Sequence, residues 1–202
     1  AAQGTLIAAE TQADPKNAAQ FTAEMVEALL TDLARVEYGA LVLFTSREQM
    51  RQAVDQLATA MRSRVLVQNQ LPRTQLLARH RERVAAGEPS IIFGMQSFGE
   101  GLDLPGRLCE SVFITKLPFA PPDDPVGEAR AEWLRAVGRD PFSELVVPAT
   151  AIRLAQWAGR AIRTEEDQAH VYCYDKRLTR TGYGQRLLQG LPPFTLERRG
   201  AA

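Results

Sequence analysis

Two cysteines, Cys109 and Cys173, are all that the 202 residues contain. They lie far apart and inside apparent strands, so no metal site follows from their spacing and both read as buried free thiols suited to a reducing cytoplasm. Net charge is missing too, since Lys plus Arg and Asp plus Glu are both 24. No global field draws the chain to nucleic acid, a histone-like binder is disfavoured, and any such contact must come from a local patch. There is no apolar run of roughly 18 residues and no basic-then-apolar leader, so neither a membrane span nor a signal peptide is expected. Histidine offers no ligand set. His80 stands among Arg79, Arg81 and Arg83 without a partner at ligand spacing and reads as a surface residue. A starting Met is absent as well, and with Ala1 opening abruptly the sequence reads as a segment of something longer.

What is present is 45% hydrophobic content with mixed charge, enough for one globular domain with a real core. Residues 1–14 carry little pattern and read as an extended lead-in. From Pro15 to Val36, Phe21, Met25, Ala28, Leu29 and Leu33 recur at helical spacing, with Pro15 where a first turn tolerates it. Gly39 then releases Ala40-Leu41-Val42-Leu43-Phe44-Thr45, a continuous apolar run of the kind buried on both faces of a parallel sheet. Ser46 and Gln49 form a capping-box pattern that opens a helix to about Met61. Arg64 to Gln68 reads as a second strand, Pro72 to Ala86 as a helix, and Ser90 to Met95 as a third strand.

That strand runs into a loop from Gln96 to Gly106, where glycines permit close approach to a ligand and Glu100 and Asp103 offer acceptors for hydroxyls or arginine. Neither Gly99-x-Gly101 nor Gly182-x-Gly184 has the third glycine of a dinucleotide fingerprint. Ser111 to Lys116 forms a fourth strand. Prolines crowd residues 118–148 around a short helix bearing Trp133 and Leu134, an expected insertion with Trp133 as its packing anchor. His170 to Asp175 forms a fifth strand, Thr181 to Gln189 a last helix, and 191–202 a tail.

Strands alternating with helices define an α/β fold with one parallel sheet of about five or more strands flanked by helices. Ligands bind at the carboxyl ends of such strands, where Thr45, Ser46 and the 96–106 loop fall; Glu165 to Gln168 make a third polar cluster before the last strand. Ahead of that strand lies Gln156-Trp157-Ala158-Gly159-Arg160-Ala161-Ile162-Arg163. At helical periodicity Gln156, Arg160 and Arg163 share one stripe, with Leu154, Ala158, Ala161 and Ile162 opposite and Gly159 keeping the polar face low. Two guanidinium forks and an amide suit planar oxygens on a polyanion, such as a nucleotide's terminal phosphate. The plain alternative is a solvated amphipathic helix.

Taken in order, these stretches resemble the second motor domain of superfamily 2 helicases of the DinG and XPD type. Leu41 to Ser46 looks like motif IV, Gln96 to Asp103 like motif V, and Gln156 to Arg163 like motif VI in its Q-x-x-G-R-x-x-R form. Leu117-Pro118-Phe119 sits where the family places an L-P-F/Y turn, and Tyr174-Asp175-Lys176-Arg177 is similar to the aspartate-arginine element that closes the domain. The resemblance implies that 1–202 is one RecA-like helicase C-terminal domain.

It further implies that ATP and Mg²⁺ are held mainly by an N-terminal motor domain, over which this one closes. Arg160 and Arg163 would stabilise charge on the transferring phosphoryl group, Gln156 would position that end of the site, and Gly159 would permit the fit. Glu100, Gly101 and Asp103 would couple nucleotide to domain closure. Thr45, Ser46 and Ser97 would lie near the phosphates of single-stranded DNA, which neutral hydroxyls contact without reading sequence. Many members carry an iron–sulfur cluster on four cysteines of the first domain, and two isolated cysteines cannot replace them. The departures are the lack of a G-x-x-x-x-G-K-[ST] P-loop and of an Asp-Glu-x-His metal motif, so this chain alone is expected not to hydrolyse ATP. The competing reading, a solitary RecA-like interaction module without ATPase activity, has no use for the Gln156, Arg160 and Arg163 stripe. A Rossmann dehydrogenase fails on both glycine loops.

Overall fold

The computed structural model describes residues 4–120, 125–161 and 169–200. Its elements run β1 (Gly4–Glu10), α1 (Ala18–Leu33), β2 (Gly39–Phe44), α2 (Arg47–Asp55), α3 (Thr59–Arg62), β3 (Val65–Val67), α4 (Arg73–Ala85), β4 (Ser90–Met95) and α5 (Gln96–Gly99). A 3₁₀ turn (Gly106–Cys109) leads to β5 (Ser111–Ile114), followed by α6 (Pro125–Ala136), a π-helical turn (Phe142–Val146), α7 (Val147–Ala158), β6 (Ala169–Cys173), α8 (Arg177–Arg180), α9 (Gly182–Gln189) and β7 (Thr195–Gly200). The strands form one sheet in the order β3-β4-β2-β5-β6-β1-β7, and every neighbouring pair is parallel.

Alternation along the strands assigns the two faces of this sheet, because successive side chains point to opposite sides. Leu41, Leu43, Ile92, Val112, Ile114, Val171 and Cys173 join one core, which α4, α7 and α9 cover with Leu76, Leu154, Trp157 and Leu187. Ala40, Val42, Phe44, Ile91, Phe93, Phe113 and Tyr174 join the other, covered by Phe21, Met25, Leu29 and Leu33 of α1 and Ala53 of α2. Such side chains each contribute about 1.5–3 kcal/mol when fully buried. Phe44 meets Phe93 edge-on at 5.1 Å, and Phe113 stacks on Tyr172 at 4.4 Å.

Several expectations are corrected. The lead-in segment 1–14 contains β1, a buried strand held between β6 and β7, and the tail 191–202 contains β7, an exposed edge strand. β7 has no apolar pattern; charge holds it, through Arg198 on Glu10 and Arg199 on Asp32. Burial alone would raise the Glu10 carboxyl, but hydrogen bonds from Arg180, Arg198 and Thr179 outweigh it and hold the group at about 2. The helix opened by Ser46 stops at Asp55, and α3 follows as a separate turn. Cys109 lies in the 3₁₀ turn, not a strand, although both thiols are buried and neither is in a disulfide. Trp133 is not a buried anchor: it is 58% exposed under the Arg139 guanidinium, while Leu134 and Ala131 turn inward.

His80 is not a surface residue but is fully buried. One ring nitrogen, Nδ1, lies 2.8 Å from Ser90 Oγ and the other, Nε2, lies 2.7 Å from Leu108 O. A carbonyl only accepts, so Nε2–H donates to Leu108 and Nδ1 accepts from the Ser90 hydroxyl. This pair ties α4 and the 3₁₀ turn to the start of β4. Gly39 completes the same corner, since a Cβ there would lie 2.0 Å from Leu108 O.

Candidate functional site

All seven strands end at one edge of the sheet, and the polar residues that follow them meet there. Phe44 pairs with Met95 across β2 and β4, so Thr45-Ser46 and Gln96-Ser97 leave neighbouring strand ends together. Ser46 caps α2 as its spacing predicts, its Oγ accepting from Gln49 N–H at 3.2 Å. Gln49 itself is buried, and its Oε1 accepts from Thr45 N–H at 3.2 Å, Thr45 Oγ1 at 3.1 Å and Thr115 Oγ1 at 3.2 Å. One amide oxygen thereby fixes the ends of β2 and β5 against each other. The arrangement also separates the three hydroxyls expected to meet phosphate. Thr45 spends its proton on Gln49, whereas Ser46 uses only its oxygen and retains a proton to donate. Ser97 is exposed beside them.

The glycine loop after β4 begins as the short helix α5 and then extends. Gly101 takes a left-handed φ of 70°, which glycine adopts without steric cost. Leu102 and Leu104 are each 1% exposed, so the Leu-Asp-Leu alternation pegs the loop into the core and turns Asp103 outward, with Glu100 also exposed. Arg73 of α4 steadies the loop, stacking at 4.9 Å over Phe98 and donating to Glu100 O at 3.1 Å.

The arginine stretch differs from its expected form. α7 ends at Ala158, with Gln156 exposed on its last turn. Beyond it the hydrogen bonds tighten from four-residue to three-residue spacing, Arg160 N–H reaching Trp157 O and Ala161 N–H reaching Ala158 O. The regular α-helical turn therefore does not continue through Arg160. Gly159 has an ordinary helical φ of −65°, and a Cβ there would meet Ala155 O at 3.1 Å. Arg160 donates from Nη1 to Leu102 O at 2.7 Å, and its buried Nε has no hydrogen-bond partner among the described residues. The turn after α7 and the glycine loop are thus joined directly. Arg163, Ile162 and the cluster from Glu165 to Gln168 lie outside the described residues.

Asp175, its side chain fully buried, closes the edge from the far side. It accepts from Leu117 N–H at 3.0 Å and pairs with Arg177 at 2.6 Å, while Arg177 also lies 5.0 Å over the Phe119 ring. Burial alone would lower the Arg177 guanidinium, but Asp175 keeps it raised. Lys116, half-buried beside this pair, is pulled down by burial and by Arg177, against weaker support from Asp175 and Asp14. Arg153 of α7 donates to Pro118 O at 3.2 Å. Sequence reasoning missed Gln49, Arg73 and Arg153 as supports of the site. Only Gln49 carried a signal, its capping-box position. Among the described residues no group of His, Cys, Asp and Glu could hold a metal ion, and no helix is long and apolar enough to cross a membrane.

Residues 29–194 match the family described as "Helicase C-terminal domain". The chain belongs to that family. This helicase C-terminal domain is 40% identical over 199 residues to the ATP-dependent DNA helicase DinG of Salmonella typhimurium (strain LT2), covering 97% of this chain and 28% of that protein. The same figures hold for the ATP-dependent DNA helicase DinG of Escherichia coli (strain K12). The domain therefore spans less than a third of the relatives it matches. Among solved structures, an XPD helicase superposes with a TM-score of 0.71 at 19% identity, over 98% of this chain and 36% of that one. Xpd4 of S. tokodaii superposes with a TM-score of 0.65 at 20% identity, over 96% and 39%. These likenesses establish the RecA-like helicase fold.

Proposed function

We propose that this chain is the second motor domain of an ATP-dependent DNA helicase, closing over nucleotide held by an N-terminal motor domain and gripping single-stranded DNA at the carboxyl edge of its sheet. The observation that carries the reading is the 2.7 Å bond from Arg160 to Leu102 O, which joins the arginine turn to the glycine loop. A displacement of one is transmitted to the other without a flexible linker between them.

Bound ATP with Mg²⁺ supplies the transferable phosphoryl group, and this chain supplies position and charge. Arg160 fits that task. Its Nη1 is committed to Leu102, while its Nε–H, without a partner among the described residues, carries a cost of about 1–3 kcal/mol that an anionic acceptor arriving on domain closure would remove. Arg163 adds a second guanidinium, Gln156 orients the same end, and Gly159 leaves room beside the turn. Gly101 gives the loop its bend, and Glu100 and Asp103 respond to closure from its outer side. Ser46 and Ser97 donate to DNA phosphates, and Thr45 orders Gln49 behind them. An iron–sulfur cluster would belong to the first domain. Cys109 and Cys173 do not fit as its ligands, being buried, with the Cys173 thiol pushed up to about 12 by desolvation. The same protected thiols suit a cytoplasmic protein.

The test is ATP hydrolysis stimulated by single-stranded DNA in the full-length protein, comparing Arg160→Ala and Arg163→Ala with wild type. Loss on the order of a hundredfold or more in kcat, with ATP binding intact, is expected of groups that act on the transition state. Unchanged rates in both variants would refute the assignment.

A further inference from the structure

We infer that the groove between α2 and the turn after β3 receives one unstacked nucleobase of the bound single strand, an inference that rests on the proposed helicase function. The groove has a volume of about 430 Å³ and opens at the carboxyl edge. Its floor is apolar, formed by Met50, Val54 and Met95, each half-buried. Two of the chain's four methionines meet here. Thioethers pack favourably against aromatic rings, and the flexible side chain accommodates rings of different outline. The rim is polar, and its carboxylate, Asp55, is paired with Arg51 at 2.6 Å. Gln68 Oε1 accepts from Met95 N–H at 2.7 Å, which leaves the amide's NH₂ as the end free to donate. Arg47 has no ion-pair partner among the described residues, although Glu48, Arg51 and Asp55 beside it are paired with one another. Ser97 also lines the groove, its single hydroxyl proton being the one assigned above to a DNA phosphate.

An apolar floor beneath a rim whose carboxylate is already paired, and on which Gln68 and Arg47 offer donors, suits a flat ring edged with carbonyl and ring-nitrogen acceptors. It does not suit a free phosphate, which would leave the methionines uncovered, or a purely apolar ligand, which would strand the donors. The wall beyond Gln68 is held away by Asn69, whose left-handed φ of 74° folds the turn so that Gln70 N–H reaches Val67 O at 3.1 Å. Ser97 belongs both to this rim and to the strand end beside Ser46. Phosphates running along that edge therefore bring a base over the methionine floor. The contact is tolerant of sequence, because every base has a ring face.

The experiment is fluorescence anisotropy of the full-length protein with a labelled single-stranded oligonucleotide in which one abasic residue is moved position by position. In wild type one abasic position is expected to weaken binding about threefold to tenfold, the range of a thioether–ring contact. Met50→Ala weakens the intact oligonucleotide by a similar factor, and the abasic position then adds nothing. A flat scan in wild type overturns the inference without recourse to any variant, as do effects of Met50→Ala and the abasic site that multiply. A raised KM for ATP in Met50→Ala with unchanged DNA affinity would assign the groove to the nucleotide's base and overturn it as well. Absence of single-strand binding by wild type is a separate result that sinks the proposed function and this inference with it.

Discussion

Replacing His80 with Leu tests whether a buried histidine holds the amino edge of the sheet together. The substitution keeps much of the side-chain volume but removes both hydrogen bonds of the ring, taking from Ser90 Oγ and Leu108 O the partner each has in the native fold. Each buried orphan costs about 1–3 kcal/mol, so the variant is expected to lose about 2–5 kcal/mol. For a chain of this size that corresponds to a fall of roughly 5–15 °C in Tm, measurable by circular dichroism or by urea denaturation of this 202-residue chain. Ser90→Ala strands one group, Nδ1 of His80, and costs about 1–3 kcal/mol. The double variant strands Leu108 O alone, so its cost falls short of the sum of the two single changes.

Acid supplies an independent check. Burial lowers the His80 pKa below 6.5, reinforced by the charges of Arg83 and Arg81 and opposed by the Leu108 hydrogen bond. The unfolded chain therefore takes up a proton before the folded one does. This contribution to stability is complete above the unfolded value of 6.5 and declines as pH falls below it. His80→Leu lacks that component of the acid response. A loss below about 0.5 kcal/mol for His80→Leu, the size of an ordinary surface change, would refute the reasoning.

Gly39→Ala sets a Cβ 2.0 Å from Leu108 O and 2.6 Å from Arg107 O, both backbone atoms, and should cost about 3 kcal/mol or more by urea midpoint. Asp175→Ala strips the buried partner from Arg177 and from Leu117 N–H; about 3–5 kcal/mol of stability should disappear, and an unchanged melting curve would contradict the described pairing. Glu10, held at about 2, stabilises the fold fully above its ordinary value of 4.5 and loses that effect as pH falls towards 2. Glu10→Gln should accordingly flatten acid unfolding across that window, and a wild-type profile in the variant would be the wrong result. Thiol labelling at pH 8 should be slow for native Cys109 and Cys173 and should rise with denaturant at the unfolding transition; rapid labelling before it would show the thiols accessible.

The parts of this domain legible in its sequence are those whose signal is local. The runs that became β2 and β4 needed no distant information, since a continuous apolar stretch bounded by turn residues already describes a strand buried on both faces. Ser46 and Gln49 lie within one turn of each other, and their capping geometry followed. β7 was illegible for the opposite reason. Thr195-Leu196-Glu197-Arg198-Arg199-Gly200 has no alternation to detect, and it becomes a strand because β1 offers it an edge and Glu10 and Asp32 attract its arginines. His80 was misplaced because the groups that satisfy it, Ser90 and Leu108, come from other elements. In the candidate site the order of the motifs carried the reading, but the shape of the arginine turn did not. Periodicity extends a helix past Gly159, whereas the chain ends it there and turns Arg160 towards Leu102.

The neighbours of β1 also set a timetable. Its first partner in the chain, β6, starts at Ala169, and its second, β7, starts at Thr195. At about 5–20 residues per second, a ribosome needs roughly 10–40 s to make what separates β1 from its partners. Throughout that interval Leu6-Ile7-Ala8-Ala9 waits with both edges bare. Closing so long a loop is entropically dear, so this pairing comes late even after release. An apolar strand without its partners is a template for self-association until they arrive. A chaperone that holds that strand until β6 emerges would raise the yield of folded protein without touching any residue of the site.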